Sequence, residues 1–140
     1  MISRFYIDTN IWMDYAENRV SGLIPAGEFA FQFLRNCGEK NNPLVYSSLV
    51  ETELLCHYSK ARVDALIYTF REILEKVNYT PAQFLEAQRL ARIIHESHRS
   101  DILHAILARD ANCVIITRDK GFEYLREIVA VAKPEEIYFK

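Results

Sequence analysis

No stretch of this sequence approaches the ~18 consecutive apolar residues that a membrane-spanning helix needs. Met1 to Asp8 hold no cationic leader ahead of an apolar run. These absences predict a cytoplasmic protein with no membrane attachment. Cys37, Cys56 and Cys113 are widely spaced and form no CxxC pair, which argues against zinc or redox work and for reduced, mostly buried thiols. A Gly-rich phosphate loop, a GxSxG elbow and an HExxH helix are also missing, so the sequence carries none of these signatures of nucleotide binding, serine hydrolysis or zinc proteolysis. Internal repeats, linkers and blocks of like charge are absent too. With 17 Lys and Arg against 19 Asp and Glu, the net charge of −2 offers no broad basic face. Any nucleic-acid contact must then be local or assisted by bound cations.

What is present describes one globular domain over residues 1–140, half of it hydrophobic and about a quarter charged. Phe5-Tyr6-Ile7 reads as a buried strand that stops at Asp8, and Thr9 or Asn10 is placed to cap a helix through Ile11, Trp12 and Tyr15. After a polar link from Asn18 to Gly27, a helix carrying Phe29, Phe33 and Leu34 is expected to close at Cys37-Gly38. Leu44-Val45-Tyr46 is the second strand. Serines 47 and 48 open a helical pattern that runs, with a break near Ser59, to Leu74, and Val77-Asn78-Tyr79 is a weak third strand. Thr80-Pro81 caps a helix reaching Ile94, and Ser100 caps another that ends at Asn112. Cys113 to Ile116 is the clearest strand; a helical turn over Phe122 to Arg126 precedes a last strand, Ile128 to Val131, with Pro134 opening an exposed tail. Strands that are continuous apolar runs, alternating with helices, predict an α/β fold with a parallel sheet covered on both faces.

Two of these strands run into an aspartate at their carboxyl ends, Asp8 directly and Asp119 after Thr117-Arg118. Ligands of open parallel sheets bind at that edge, where strand order reverses. Asp101 stands in the first turn of a helix, where the dipole favours an acid. Glu51 and Glu53 are two residues apart on a helix, about 200° of rotation, so only one can face a given site, and periodicity leaves the choice open. Carboxylates crowded in one crevice resist ionising together unless a cation neutralises them, which points to a hard, oxygen-loving ion, magnesium or manganese. Such ions bind a scissile phosphate, activate water and stabilise a leaving oxygen, so no nucleophilic side chain is required.

The strings D-T-N-I at 8–11, S-S-L-V-E-T-E-L at 47–54, D-I-L-H-A-I-L-A at 101–108 and I-I-T-R-D-K-G-F at 115–122 resemble, in order, the successive signatures of PIN domains. V-A-K-P-E-E-I at 131–137 is similar to their usual ending, so the resemblance spans essentially the whole chain. It implies a central parallel sheet of order 3-2-1-4-5 flanked by helices, and an Mg2+- or Mn2+-dependent endoribonuclease. Small members of this kind are VapC-like toxins, so the resemblance also implies an antitoxin protein and a homodimer. By position, Asp8 matches the first metal-binding acid, with Asn10 its polar neighbour. Glu53, before the leucine of an E-L pair, matches the second acid, Asp101 the third and Asp119 the fourth, with Asp8, Asp101 and Asp119 as metal ligands.

Simpler explanations stand beside these. Asp8 and Asp119 can cap turns, and Asp101 can serve the helix dipole alone. His57, His95, His98 and His104 show no zinc-like spacing; His95 and His98 fit a solvated helix face, whereas His104, one turn after Asp101, can point toward the site. Arg118 and Lys120 flank Asp119 and can touch RNA phosphates or simply be solvated. Trp12, Tyr15 and Phe29 at helical spacing read as core. The rival functions are a non-catalytic PIN-like RNA- or protein-binding module, which an intact acid set disfavours, and an aspartyl-phosphate protein. Phosphatases of the latter kind carry a second Asp two residues after the first, where this chain has Asn10.

Overall fold

The structure, a computed structural model, describes residues 2–139, so Met1 and Lys140 of the expected 1–140 domain lie outside the described residues. Its centre is a five-stranded, all-parallel sheet of order β3-β2-β1-β4-β5. Strand β1 (Phe5–Ile7) lies between β2 (Leu44–Ser47) and β4 (Val114–Ile116), with β3 (Leu74–Val77) and β5 (Val131–Ala132) at the edges. Strand β1 is buried throughout, as a central parallel strand with both faces covered must be.

Among the described residues six helices cover the sheet: α1 (Thr9–Glu17), α2 (Ala26–Lys40), α3 (Ser48–Leu55), α4 (Lys60–Thr69), α5 (Pro81–Ala91) and α6 (Arg99–Asp110). Helix α1 packs on α2 and α3, and α3 on α4, while α5 packs on α6. The chain moves outward from β1 to β3 and then returns past β1 to β4. With right-handed crossovers, that reversal puts α1–α4 on one face and α5–α6 on the other.

Several local expectations shift. Asp8 itself caps α1, its side chain accepting from the Thr9 N–H. Helix α2 passes through Gly38 and stops only at Asn41, whose left-handed backbone (φ 57°) returns its N–H to the Cys37 carbonyl. A glycine inside a helix costs about 1 kcal/mol, which the buried Cys37 turn outweighs. Strand β3 begins at Leu74, three residues before the expected Val77, because α4 ends at Thr69 and Leu74 pairs in register with Leu44. Thr80 caps α5 as expected, in a capping box that also uses Gln83, but α5 ends at Ala91, and His98 rather than Ser100 precedes α6. His95 and His98 lie exposed in the turn between those helices, not on a helix face. Ile128 and Val129 pack as a turn, and β5 starts at Val131. Pro134 is buried and opens a 3-10 turn, not an exposed tail; beyond it Phe139 closes over Phe5 and Phe33, with ring centroids 6.3 and 5.8 Å away. Cys37 and Cys113 are buried, Cys56 is exposed, and all three are free. Among the described residues no helix is long and apolar enough to cross a membrane.

At the joint between α1 and α2 two backbone segments approach closely. Gly27 donates its N–H to the Arg19 carbonyl at 2.8 Å, and a Cβ at Gly27 would lie 2.4 Å from Asn18 Cα and 2.6 Å from Arg19 N. Those atoms are backbone and cannot swing aside. Gly27→Ala therefore destabilises the fold by about 3 kcal/mol, read as a lower denaturant midpoint at unchanged slope. An unchanged midpoint would mean that the α1–α2 link yields freely.

Candidate active site

The site forms at the carboxyl ends of β1 and β4, where strand order reverses. Asp8 is 5% exposed; one carboxylate oxygen accepts from the Thr9 N–H (2.8 Å) and the other from the Thr117 hydroxyl (2.7 Å). Thr117 Oγ1 in turn accepts from the Asp119 N–H at 3.0 Å, so one threonine ties the two strand ends together. Asp119 turns its Oδ1 back to cap the Gly121 N–H at 2.9 Å. The Gly121 carbonyl accepts from the buried Ser97 hydroxyl at 2.6 Å, pinning this loop to the turn before α6. Sequence pattern alone assigns no role to Thr117, Ser97 or Gly121. Thr117 was visible only as the residue between the last strand position and Arg118-Asp119.

Asp101 sits half-buried in the first turn of α6, and its Oδ2 is buried without a hydrogen-bond partner. Burial, then the charges of Asp119 and Asp8, push its carboxyl up to about 6. Asp8 is also pushed up, first by burial, with the Glu53 charge adding to it. The four acids thus share one electrostatic neighbourhood.

Glu53, not Glu51, is the glutamate that faces inward. Its carboxylate accepts from Thr9 Oγ1 (2.5 Å) and lies 3.1 and 3.2 Å from His104 Nε2, whereas Glu51 pairs with Lys76 at 3.2 Å on the surface. Burial pushes the Glu53 carboxyl up, but the bonds from His104 and Thr9 outweigh it and hold it below the usual range. Glu53→Gln should lower RNA cleavage at least about tenfold, because it removes inward charge, and Glu51→Gln should leave it within about twofold. The reverse order in a cleavage assay would place the functional acid two residues away.

Asn10 is exposed in the first turn of α1 and makes no side-chain hydrogen bond to the acids. Arg118 turns away from them: its guanidinium forks onto Glu135 (2.9 and 2.5 Å), lies 4.0 Å from Asp14 and covers Phe29. That leaves Lys120 as the exposed cation beside Asp119, on the rim of an open cleft of about 610 Å3 that also presents Tyr124 and Lys133. Trp12 is core, while Tyr15 and Phe29 are only half-buried.

The acids fit a divalent ion, though not as a closed cage. Among the described residues no three His, Cys, Asp or Glu side chains are grouped closely enough to hold one. Magnesium usually takes only one or two carboxylates and completes its shell with water and substrate phosphate. Asp101 and Asp119 supply such a pair: a Cβ on Gly121 would lie 3.3 Å from both Asp101 Oδ2 and Asp119 Oδ1, so the absent side chain keeps open the space between them. The buried Asp101 Oδ2, with no hydrogen-bond partner among the described residues, is an oxygen of the kind a hard cation takes.

A family model described as PIN domain matches residues 5–128. No curated protein sequence matches the chain. Among solved structures the chain is similar to VapBC2 from Rickettsia felis, crystallised bound to a DNA fragment from their promoter, at TM-score 0.68 and 17% identity over 93% of this chain and 98% of that one. VapBC-1 from nontypeable Haemophilus influenzae gives TM-score 0.67 at 17% identity over 94% and 98%, and FitAcB from Neisseria gonorrhoeae 0.61 at 16% over 95% and 99%. At such identities the likeness shows the fold.

Proposed function

The chain belongs to the PIN domain family, and on that premise we propose that it is a divalent-metal-dependent endoribonuclease that hydrolyses RNA phosphodiester bonds. The observation that carries this reading is the partnerless Asp101 Oδ2 facing Asp119 across Gly121, at the edge where β1 and β4 deliver Asp8 and Asp119. Asp101 and Asp119, with Asp8 behind them, would hold Mg2+ or Mn2+. When bound, such an ion supplies positive charge for the scissile phosphate and lowers the pKa of water.

The chain's own residues do the rest. Asp8 keeps its carboxyl group fixed at the crevice because Thr9 and Thr117 hold both of its oxygens. Glu53, held as a carboxylate by His104 and Thr9, orients the attacking water by accepting a hydrogen bond from it. Lys120 meets a phosphate beside Asp119, and Lys133 and Tyr124 line the path of a strand along the cleft, Tyr124 offering a ring on which a base stacks. As the VapC-like signatures of the sequence imply, the protein acts as a homodimeric toxin restrained by an antitoxin protein in the cytoplasm; its likeness to the VapBC and FitAcB structures supports the antitoxin partner.

The test is incubation of the purified chain with single-stranded and hairpin RNA in chelator, in magnesium and in manganese, with the product ends mapped. Internal cleavage that requires either ion is expected. Equal cleavage in chelator, or none with either ion, overturns the reading.

A further inference from the structure

His104 is the one histidine of the chain that the core has swallowed, 1% exposed in the middle of a run, Ile102 to Ala108, that α6 buries completely. A leucine there would pack without desolvating two ring nitrogens, so a buried imidazole calls for an account of every polar atom. Both nitrogens are engaged. Nδ1 lies 2.7 Å from the Tyr6 hydroxyl, and Nε2 sits evenly between the two Glu53 oxygens at 3.1 and 3.2 Å. Tyr6 meets Ser47 Oγ at 2.6 Å, and Ser47 Oγ accepts from the Val50 N–H, capping the helix that carries Glu53.

The hydrogens in this circuit run consistently in one direction. The Glu53 carboxylate can only accept, so Nε2 carries the ring hydrogen. In the neutral ring Nδ1 then accepts, which makes Tyr6 the donor to it; burial pushes the Tyr6 phenol far up, so that hydrogen stays in place. Tyr6 accepts in turn from the Ser47 hydroxyl. The opposite direction leaves the Ser47 hydrogen with no acceptor among the described residues, in a core where an unmade bond costs about 1–3 kcal/mol. The circuit joins β1, the end of β2, α3 and α6, and its only member outside the core is Glu53. All the order it stores is delivered to one carboxylate.

We propose that His104 is a positioning residue: its Nε2–H fixes the orientation of the Glu53 carboxylate toward the crevice, and Tyr6 with Ser47 fix the tautomer that lets it do so. The role rests on the proposed ribonuclease activity, whereas the circuit itself does not. Catalytic carboxylates work when held to within about 0.5 Å of the productive geometry, and losing a supporting partner of this kind typically costs about 10- to 100-fold.

Two side chains of similar size separate the positioning role from plain packing. Gln at 104 carries a donor near the place of Nε2, while Asn carries polar atoms only near the place of Nδ1. His104→Asn is expected to lose about 10- to 100-fold in kcat with KM for RNA within about twofold, and His104→Gln to keep activity within a few-fold of wild type. Equal losses in both variants, tracking their melting temperatures, would overturn the role, as would full activity in a folded His104→Asn. Nitrogen-15 spectra of the metal-free protein provide the readout that needs no turnover. One histidine ring should carry its hydrogen on Nε2 with Nδ1 bare, and its signals should move in Tyr6→Phe and in Glu53→Gln. A hydrogen on Nδ1 instead overturns the circuit. If the wild type cleaves no RNA while the spectra are as stated, the ribonuclease reading fails and the circuit stands. If the wild type cleaves and His104→Asn matches it, the role of His104 alone fails.

Discussion

Asp8→Asn yields a folded protein whose RNA cleavage is at least about 100-fold below wild type, because the change deletes a charge at the centre of the site at constant size. Folding should survive. Asn still offers an oxygen to the Thr9 N–H, and its amide can donate to Thr117 Oγ1, so the tie between β1 and β4 is redirected without being cut. The electrostatics favour the mutant in the absence of ions. Burial raises the Asp8 carboxyl above its unfolded value, so its stabilising share is present at low pH and is lost as pH rises through the raised value. Once ionised, the side chain therefore works against folding, and an amide does not. Melting in chelator should show Asp8→Asn at or above the wild-type temperature, beside a cleavage assay in which it is silent. Full activity in the folded variant would remove Asp8 from the site.

The parts of the fold that were legible are those whose local signal is not overruled. Phe5–Ile7 and Cys113–Ile116 read as strands because central parallel strands are apolar on both faces. Edge strands carry no such mark: β3 is half-exposed, and Leu74-Glu75-Lys76-Val77 sets two charged residues between two apolar ones three apart, a spacing that a helical pattern absorbs at Leu74. The two residues of β5 are defined by pairing with Ile115 and Ile116, not by their own sequence. Gly38 looked like a stop because a glycine usually is one, but Asn41 three residues on supplies the left-handed turn equally well. The strand order came from the family resemblance, since nothing in residue periodicity distinguishes 3-2-1-4-5 from another parallel order.

At the site, a strand that ends on a carboxylate could be read directly, which is how Asp8 and Asp119 emerged. Glu53 could not be separated from Glu51 by rotation alone. What distinguishes them is tertiary, the imidazole of His104 on one side of α3 and the ammonium of Lys76 on the other. Arg118 and Lys120 were equivalent as neighbours of Asp119. Only the fold brings Glu135, seventeen residues on, back to occupy Arg118 and leaves Lys120 free to meet a substrate.

Divalent metal should stabilise the wild type, and the gain should fade as pH drops through about 6. An ion at ten times its dissociation constant that binds only the folded chain adds about 1.4 kcal/mol, a rise of about 3 to 6 °C in melting temperature for a domain of this length. The pH dependence follows from Asp101. Burial and the charges of Asp119 and Asp8 raise its carboxyl from 3.8 to about 6. A raised group gives its full stability below the unfolded value, near 3.8, and loses it as pH climbs through about 6, so the metal-free protein becomes less stable across that window. The ion needs the deprotonated form. Below about pH 6, one competing proton costs roughly tenfold in apparent affinity per pH unit, so metal-free stability and metal gain run in opposite directions. Paired melts in chelator and in magnesium, at matched ionic strength and at about pH 5 and 7.5, should show a metal-induced rise about three- to fourfold smaller at the lower pH. In the Asp8→Asn, Asp101→Asn double variant it should be missing at both, with the chelator melt at or above wild type because the repulsion is gone. A rise of the same size at both pH values, or one that survives in the double variant, would mean that the ion binds elsewhere and that these acids serve some purpose other than holding it.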